Sequence, residues 1–498
     1  MSQNNNVSSV PQKGFFGHPR GLSTLFFTEF WERFSYYGMK AILAYYIYYS
    51  VAKGGFGLEQ STALQIVSIY GALIYMSGII GGWIADRILG IRASIFYGGI
   101  LIMIGHILLA LPNNFTLLML ALLFLIIGTG MLKPNISTNV GLLYEKGDNR
   151  VDAGFTIFYM SINLGGLISP LLIGWLQVNY GFHIGFSLAA FGMFAGLVTY
   201  LLTSRKNLGE LGMKPTNPLV GAQKKRFVIL LVTALIIIAV FTLIAYVTNT
   251  LTISNFANLI TILGVILPIV LVVMMVSSKS VTKTERTHVI AYIPLFIVAV
   301  AFWMIQEQGA TILAAFADTK TELSIANLTN GAIDFTIPAA WFQSLNPIFI
   351  VLLAPLFSRL WVRLGERNPS TVIKFAIGAI LAGTAYLVMV IPLGTDGLIN
   401  PLWLVLSFLL VTLGELCISP IGLSTTTKLS PEAFRSQMMS LWFLTNAMAQ
   451  GLNAQMVKLY AVISTEQYFL FSGLVAIVLA ILLIFISPKI KRMMSDVE

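Results

Sequence analysis

The sequence predicts an all-α polytopic membrane protein with about fourteen transmembrane helices, organised as six, then two, then six. Three observations carry that reading. The chain of 498 residues is 57% hydrophobic and only 10% charged, whereas a soluble domain carries about 25% charged residues. Apolar runs of roughly 20 residues, long enough to cross a bilayer, recur from one end to the other. The thirty Lys and Arg fall almost entirely on one side of the topology that those runs define.

Taken in order, the spans are expected at 22–50, 62–88, 93–111, 115–143, 152–178, 184–204, 226–247, 255–277, 289–315, 337–364, 371–392, 400–427, 433–462 and 466–487. The first twenty residues are polar and lack an apolar h-region, so no cleaved signal peptide is expected. The second span ends in GGWIADRILGIR (81–92) and the sixth at Arg205 and Lys206. Residues 205–226 read as a charged linker containing Pro and Gly. The pair that follows has no charge after Arg226 and reads as a lipid-facing accessory hairpin. A second basic break, SSKSVTKTERTH (277–288), precedes the last six spans, and a polar, acidic loop covers 317–336. Arg359, Arg363 and Arg367 close the tenth span; Lys489, Lys491 and Arg492 close the last. Against these, only Lys53 and Lys320 lie clearly on the opposite side. An even span count puts both ends together, and the positive-inside rule puts both in the cytoplasm of a cell-membrane protein. The expected divisions are 1–205 for the first six-helix bundle, 206–287 for linker and inserted pair, and 288–498 for the second bundle.

The first span carries the most informative chemistry. Glu29, Glu32 and Arg33 stand in EFWER, with Lys40 following. A charge at mid-bilayer costs roughly 2.5–3.5 kcal/mol on insertion scales, so it persists only where it finds a partner and a task. At 100° per residue, Glu29, Arg33, Tyr36 and Lys40 form one stripe, flanked by Glu32 and Tyr37. A cation between carboxylates at i−4 and i−1 changes partner when one is protonated, which makes a minimal proton switch. Lys133, in LKPN of the fourth span, needs an acidic partner at that depth, and Pro134 beside it is expected to kink the helix. Glu307 is the lone acid of the ninth span. YYIYY (45–49) reads as an interfacial aromatic belt.

Two six-helix halves are the architecture of major-facilitator transporters. GGWIADRILGIR resembles that superfamily's loop signature, in which Asp86 and Arg87 read as a conformational latch or a topology signal rather than a substrate site. EFWERFSYYGM (29–39) matches the ExxERFxxYG signature of the proton-dependent oligopeptide transporters, and FTIFYMSINLGGL (155–167) resembles that family's second signature. GTGMLKPNIS (128–137), FWMIQEQGATIL (302–313), WFQSLNP (341–347), GELCISPIGLS (414–424) and SLWFLTNAMAQ (440–450) are similar to further family segments and follow in order. The chain is thereby identified as resembling a bacterial di- and tripeptide transporter of the major-facilitator fold.

The resemblance implies a proton-coupled symporter that imports di- and tripeptides by alternating access between the two bundles. Proton coupling would rest on Glu29, Glu32, Arg33, Lys133 and Glu307. Lys133 would pair with Glu29 or Glu32 and sense substrate, and Glu307 would pair with a cation at an outer gate. Substrate would be held by Arg33, Tyr36, Tyr37, Lys40, Tyr75, Lys133, Asn163, Asn346, Glu415, Trp442 and Asn446. Glu415 would face the peptide amine, and the cations of the first half its carboxylate. Trp442 and Asn446, one turn apart, would line a side-chain pocket with Asn346 near. Lys40 stands where family members often have Arg, and Asn446 where they often have Ser. No His occurs in 62–88, so the histidine route of animal members is unavailable.

Two other classes are set aside on residues, while a substrate sensor that does not transport stays open and is decided by flux in liposomes. A drug or sugar porter would share the latch but would not need ExxER together with Glu415. An intramembrane enzyme would need HExxH, a GxSG nucleophile or paired Asp residues, none of which stands in a span. No cofactor is expected beyond the proton as coupling ion, and no metal site or nucleic-acid partner. The expected partners are short peptides, protons and the surrounding membrane lipids.

Overall fold

The computed structural model describes residues 10–145, 148–394 and 397–494. Fourteen long helices run through them: α1 (Gly21–Tyr48), α2 (Gln60–Ile84), α3 (Ile91–Ala110), α4 (Phe115–Gly141), α5 (Val151–Tyr180), α6 (Phe182–Leu208), α7 (Ala222–Val247), α8 (Ile253–Ser277), α9 (Lys283–Glu307), α10 (Leu345–Leu364), α11 (Thr371–Val390), α12 (Leu402–Lys428), α13 (Arg435–Val462) and α14 (Thr465–Met493). Among the described residues β-structure is limited to isolated bridges. Twelve helices are long and apolar enough to cross a membrane. The two outside that set, α1 and α13, hold much of the polar chemistry described below. The chain is a multi-pass membrane protein.

The ends follow ordinary helix chemistry. Asn114 caps α4 by accepting from Thr116 and Leu117, and capping boxes start α9 (Thr282, Glu285) and α14 (Ser464, Gln467). Prolines stand inside several spans, including Pro134, Pro294 and Pro420. Membrane helices tolerate them because neighbouring side chains satisfy the freed backbone groups.

Two departures from the expected spans matter. The run expected as one helix over 289–315 stops at Glu307, passes through a 3-10 turn (Gln308–Ala310) and restarts as Ile312–Lys320. The apolar pattern continues across the break, so hydropathy could not show it. The expected loop 317–336 is partly built: it contains the end of that second helix, a short turn at Ile325–Leu328, and bridges from Thr321 to Ile399 and Ser324 to Thr336.

The chain divides into two compact units. The first comprises 1–36, 76–165 and 186–259; the second comprises 37–75, 166–185 and 260–498. In the first, α3 and α4 approach backbone to backbone: a Cβ on Gly98 would stand 2.7 Å from the Gly128 carbonyl oxygen, and one on Gly128 2.7 Å from that of Gly98. In the second, α11 makes the same contact twice, through Gly378 with Gly414 of α12 and Gly383 with Gly473 of α14. Small residues are how membrane helices gain dispersion contact where lipid offers no hydrophobic driving force.

The linker after α6 is docked on the turn between α2 and α3. Asn217 and Leu219 donate backbone N–H groups to the Asp86 and Arg87 carbonyls, and Arg92 donates to that of Gly212. Thr216 Oγ1 donates to Asp86 Oδ1 at 2.9 Å. The α7 helix that follows buries no residue. Its apolar side chains are stable only against hydrocarbon.

Candidate functional site

In the first unit the α1 charges form a closed cluster. Arg33 Nη2 donates to Glu32 Oε1 at 2.6 Å, and its Nε donates to Glu32 Oε2. Glu29 Oε1 lies 3.4 Å from the same Nε. Burial is essentially complete, with 1% of Glu29 and Arg33 exposed and none of Glu32. The guanidinium lies over the Tyr36 ring, 4.8 Å from its centroid. Helical spacing explains this directly: i, i+3, i+4 and i+7 share a face, and a planar guanidinium can meet two carboxylates at once.

Two other helices of this unit complete the cluster. Lys133 of α4 is close enough for its charge to act on the Glu29 carboxylate. On α5, a Cβ at Gly165 would stand 2.9 Å from Arg33 Cβ, so that glycine lets α5 pass the guanidinium stem. Asn163, two residues before it, donates to the carbonyl of Tyr159 one turn back, at 3.0 Å. Glu29 Oε2 is buried with no hydrogen-bond partner among the described residues.

In the second unit Glu307 receives three donors. Lys40 Nζ stands 2.9 Å from Oε2 and Gln450 Nε2 2.6 Å from it, while Tyr75 OH donates to Oε1 at 3.0 Å. The helix is interrupted directly after Glu307, whose carboxylate meets side chains of α1, α2 and α13. Tyr37 packs along α5, its ring 3.1 Å from where a Cβ on Gly166 would stand.

Glu415 forms a separate group in this unit. Asn346 Nδ2 donates to its Oε2 at 2.8 Å and Gln306 Nε2 at 2.9 Å. Asn346 also reaches Thr412 Oγ1 at 3.1 Å. Among the described residues no cation lies within salt-bridge distance of Glu415. Two neutral amides hold the acid. Trp442 is packed edge-on to Phe375 and over Gly422, where a Cβ would clash with its ring at 2.0 Å. Asn446, one turn on, is buried with Oδ1 unpartnered among the described residues.

The tyrosines of YYIYY are not a belt. Tyr45 and Tyr46 are buried, Tyr48 and Tyr49 donate to Asp318 at 2.7 and 2.5 Å, and Tyr45 donates to the Ala314 carbonyl. The restarted helix at 312–320 packs on the α1 end and gives these phenols partners that an interface would not supply. Asp318, Gln306 and Gln450 were not singled out from sequence. Asp318 stood in a stretch read as featureless loop, and uncharged amides in apolar helices give no signal above packing.

These arrangements can be set beside known proteins. The family model described as POT family matches residues 92–473. The chain is 54% identical to the uncharacterized transporter YclF of Bacillus subtilis (strain 168), covering 99% of this chain and 98% of that one. It is 47% identical to the di-/tripeptide transporter of Lactococcus lactis subsp. cremoris, covering 98% and 99%. It superposes with TM-score 0.95 on the crystal structure of a peptide transporter POT in complex with sulfate, at 52% identity and 99% coverage of each chain.

Proposed function

The chain belongs to the POT family, and from that membership we propose how its residues carry di- and tripeptides across a membrane by symport with protons. The protein is a transporter and not an enzyme. The single observation that carries the mechanism is the buried Arg33 shared between Glu32 and Glu29, with one Glu29 oxygen left without a donor among the described residues. A proton arriving on Glu29 weakens its hold on Arg33 and shifts the guanidinium further to Glu32. The net charge of the cluster changes by one with no loss of burial.

Glu307 forms a second such centre, since its proton would release Lys40, Tyr75 and Gln450 together. For substrate, Glu415 is assigned the peptide amine, because its buried carboxyl is met by amide donors and, among the described residues, by no cation within salt-bridge distance. Arg33, Lys133 and Lys40 are assigned the peptide carboxylate; Tyr36, Tyr37, Tyr75, Asn163, Asn346, Trp442 and Asn446 the amides and side chains. Recognition of charged ends and amides common to all short peptides makes the carrier tolerant of side chains.

The same reading gives the organisation: bundles at 1–205 and 288–498 that alternate access, with 206–287 as linker and inserted pair. The lopsided Lys and Arg support cytoplasmic termini in a cell membrane whose lipids surround the apolar faces. The working parts are side chains, protons and peptide, and no cofactor is invoked.

Purified protein in liposomes, offered a labelled dipeptide with and without an inward proton gradient, tests this. Accumulation that needs the gradient and collapses with an uncoupler is expected. Accumulation unaffected by the uncoupler, or dependent on sodium, would overturn the proton reading.

A further inference from the structure

The break in α9 is held by a buried amide that has no place in the mechanism above. Gln308, 1% exposed, follows Glu307, the last residue of α9, and opens the 3-10 turn. Its Oε1 accepts from Tyr386 OH of α11 at 2.6 Å and from Tyr468 OH of α14 at 2.9 Å. Its Nε2 donates to Asn453 Oδ1 of α13 at 2.8 Å. Asn453 Nδ2 in turn donates to the Met304 carbonyl at 3.0 Å.

The backbone shows why that last bond is needed. In an unbroken helix the Gln308 N–H would serve the carbonyl four residues back, which is Met304. Here it turns to the carbonyls of Ile305 and Gln306. Asn453 supplies a donor to Met304, so the network replaces a bond that the break removes.

The geometry points to Gln308, with Tyr386, Tyr468 and Asn453, as a positioning network that sets where Glu307 stands; this rests on the symport reading for its functional meaning. The network and the carboxylate are read by one helix: Gln450 and Asn453, three residues apart on α13, hold Glu307 and Gln308 respectively. A buried amide with its oxygen doubly accepted and its nitrogen engaged has a narrow choice of orientations. Replacing it by an apolar isostere takes the shared acceptor from two buried phenols and the donor from Asn453 Oδ1, so α9 must resettle around them. The carboxylate one residue earlier then changes its distances to the groups around it: Lys40 of α1, Tyr75 of α2, Gln450 of α13, and the like charge of Glu415 on α12. Any such change alters how readily Glu307 takes a proton.

Gln308→Met in full-length protein in liposomes tests this. The pH midpoint of proton-driven dipeptide uptake should move by about half a unit or more. Dipeptide affinity, measured by binding at one pH, should stay within about threefold of the unsubstituted protein. A purely structural amide would lower yield and Tm without moving the midpoint. Should Gln308→Met fail to fold, Tyr468→Phe removes one hydroxyl from the same oxygen and should move the midpoint in the same sense by less. An unmoved midpoint in the variant that folds overturns the inference. If the unsubstituted protein shows no proton-driven uptake, the symport reading fails by itself. The inference is then decided by the pH dependence of Tm: Gln308→Met must shift the component that Glu307→Gln abolishes, and an identical profile overturns it.

Discussion

Lys40 and Glu307 stand 267 positions apart in the chain and meet at 2.9 Å, with 12% and 9% of their side chains exposed. Removing one member of so buried a pair strands the other charge, at a cost of about 3–5 kcal/mol. Lys40→Met and Glu307→Gln should each lower Tm in detergent. The double variant should recover part of the loss, because no charge is then left alone. Additive losses in the double variant would show that the two residues act independently.

The Arg33 cluster separates coupling from exchange. Glu29→Gln, Glu32→Gln and Lys133→Ala should each cut proton-driven accumulation at least about tenfold, the effect of ~1.4 kcal/mol. At least one should still exchange labelled for unlabelled dipeptide with no gradient, since exchange needs no net proton cycle. Driven accumulation at full rate in all three would remove the cluster from the mechanism.

The amide cradle of Glu415 makes a substrate prediction. An ionic hydrogen bond to the peptide amine is worth about 1.5–3 kcal/mol, roughly ten- to a hundredfold in affinity. Glu415→Gln should weaken binding of free dipeptides by that factor and of N-acetylated dipeptides much less. Competition assays with paired peptides measure it, and an equal loss for both would make Glu415 structural.

Outside the spans, the segment before α1 is clipped to the α4–α5 connection. Arg150 donates to Asp148 at 2.7 Å and to the carbonyls of Gln12 and Gly17, and His18 Nδ1 meets Tyr144 OH at 3.0 Å. The Arg150 side-chain bonds hold the Asp148 carboxyl below its ordinary range. A folded-state value lowered in this way stabilises the clip above the ordinary carboxylate pH and loses it as pH falls through the lowered one. Hydrogen-exchange protection of residues 10–20, corrected for intrinsic rate, should be full near neutrality and decline below roughly pH 4. Asp148→Asn should flatten that dependence, and Arg150→Ala should lower protection throughout. Protection indifferent to both would mean the segment is held by its aromatic contacts alone.

Much of this molecule was legible in the sequence, and the exceptions share a cause. The fourteen helices followed from apolar length and the distribution of Lys and Arg, because a bilayer imposes both. The Glu29, Glu32 and Arg33 cluster followed from helical spacing, since its members lie on one element. Partners from distant segments were not legible. The bond from Lys40 to Glu307 joins residues 267 positions apart, which spacing along one helix cannot show. Tyr48 and Tyr49 read as a belt because a tyrosine beside a helix end looks the same whether it faces headgroups or Asp318. Gln308 and Gln450 were invisible because an amide in an apolar run has no periodic signature.

The glycine contacts decide which surfaces can slide. A one-turn shift of α3 along α4 would carry Ser94 or Ile102 to the place of Gly98, against a backbone oxygen that leaves a Cβ only 2.7 Å. On the partner helices the residues one turn away are all large: Phe124 and Leu132 beside Gly128, Leu410 and Ile418 beside Gly414, Phe469 and Ile477 beside Gly473. Shear is therefore closed to α3 with α4, and to α11 with α12 and α14. Each of these sets must travel as a single stiff plank, and the transport cycle is left to rotations and bends at the places where the backbone is already interrupted.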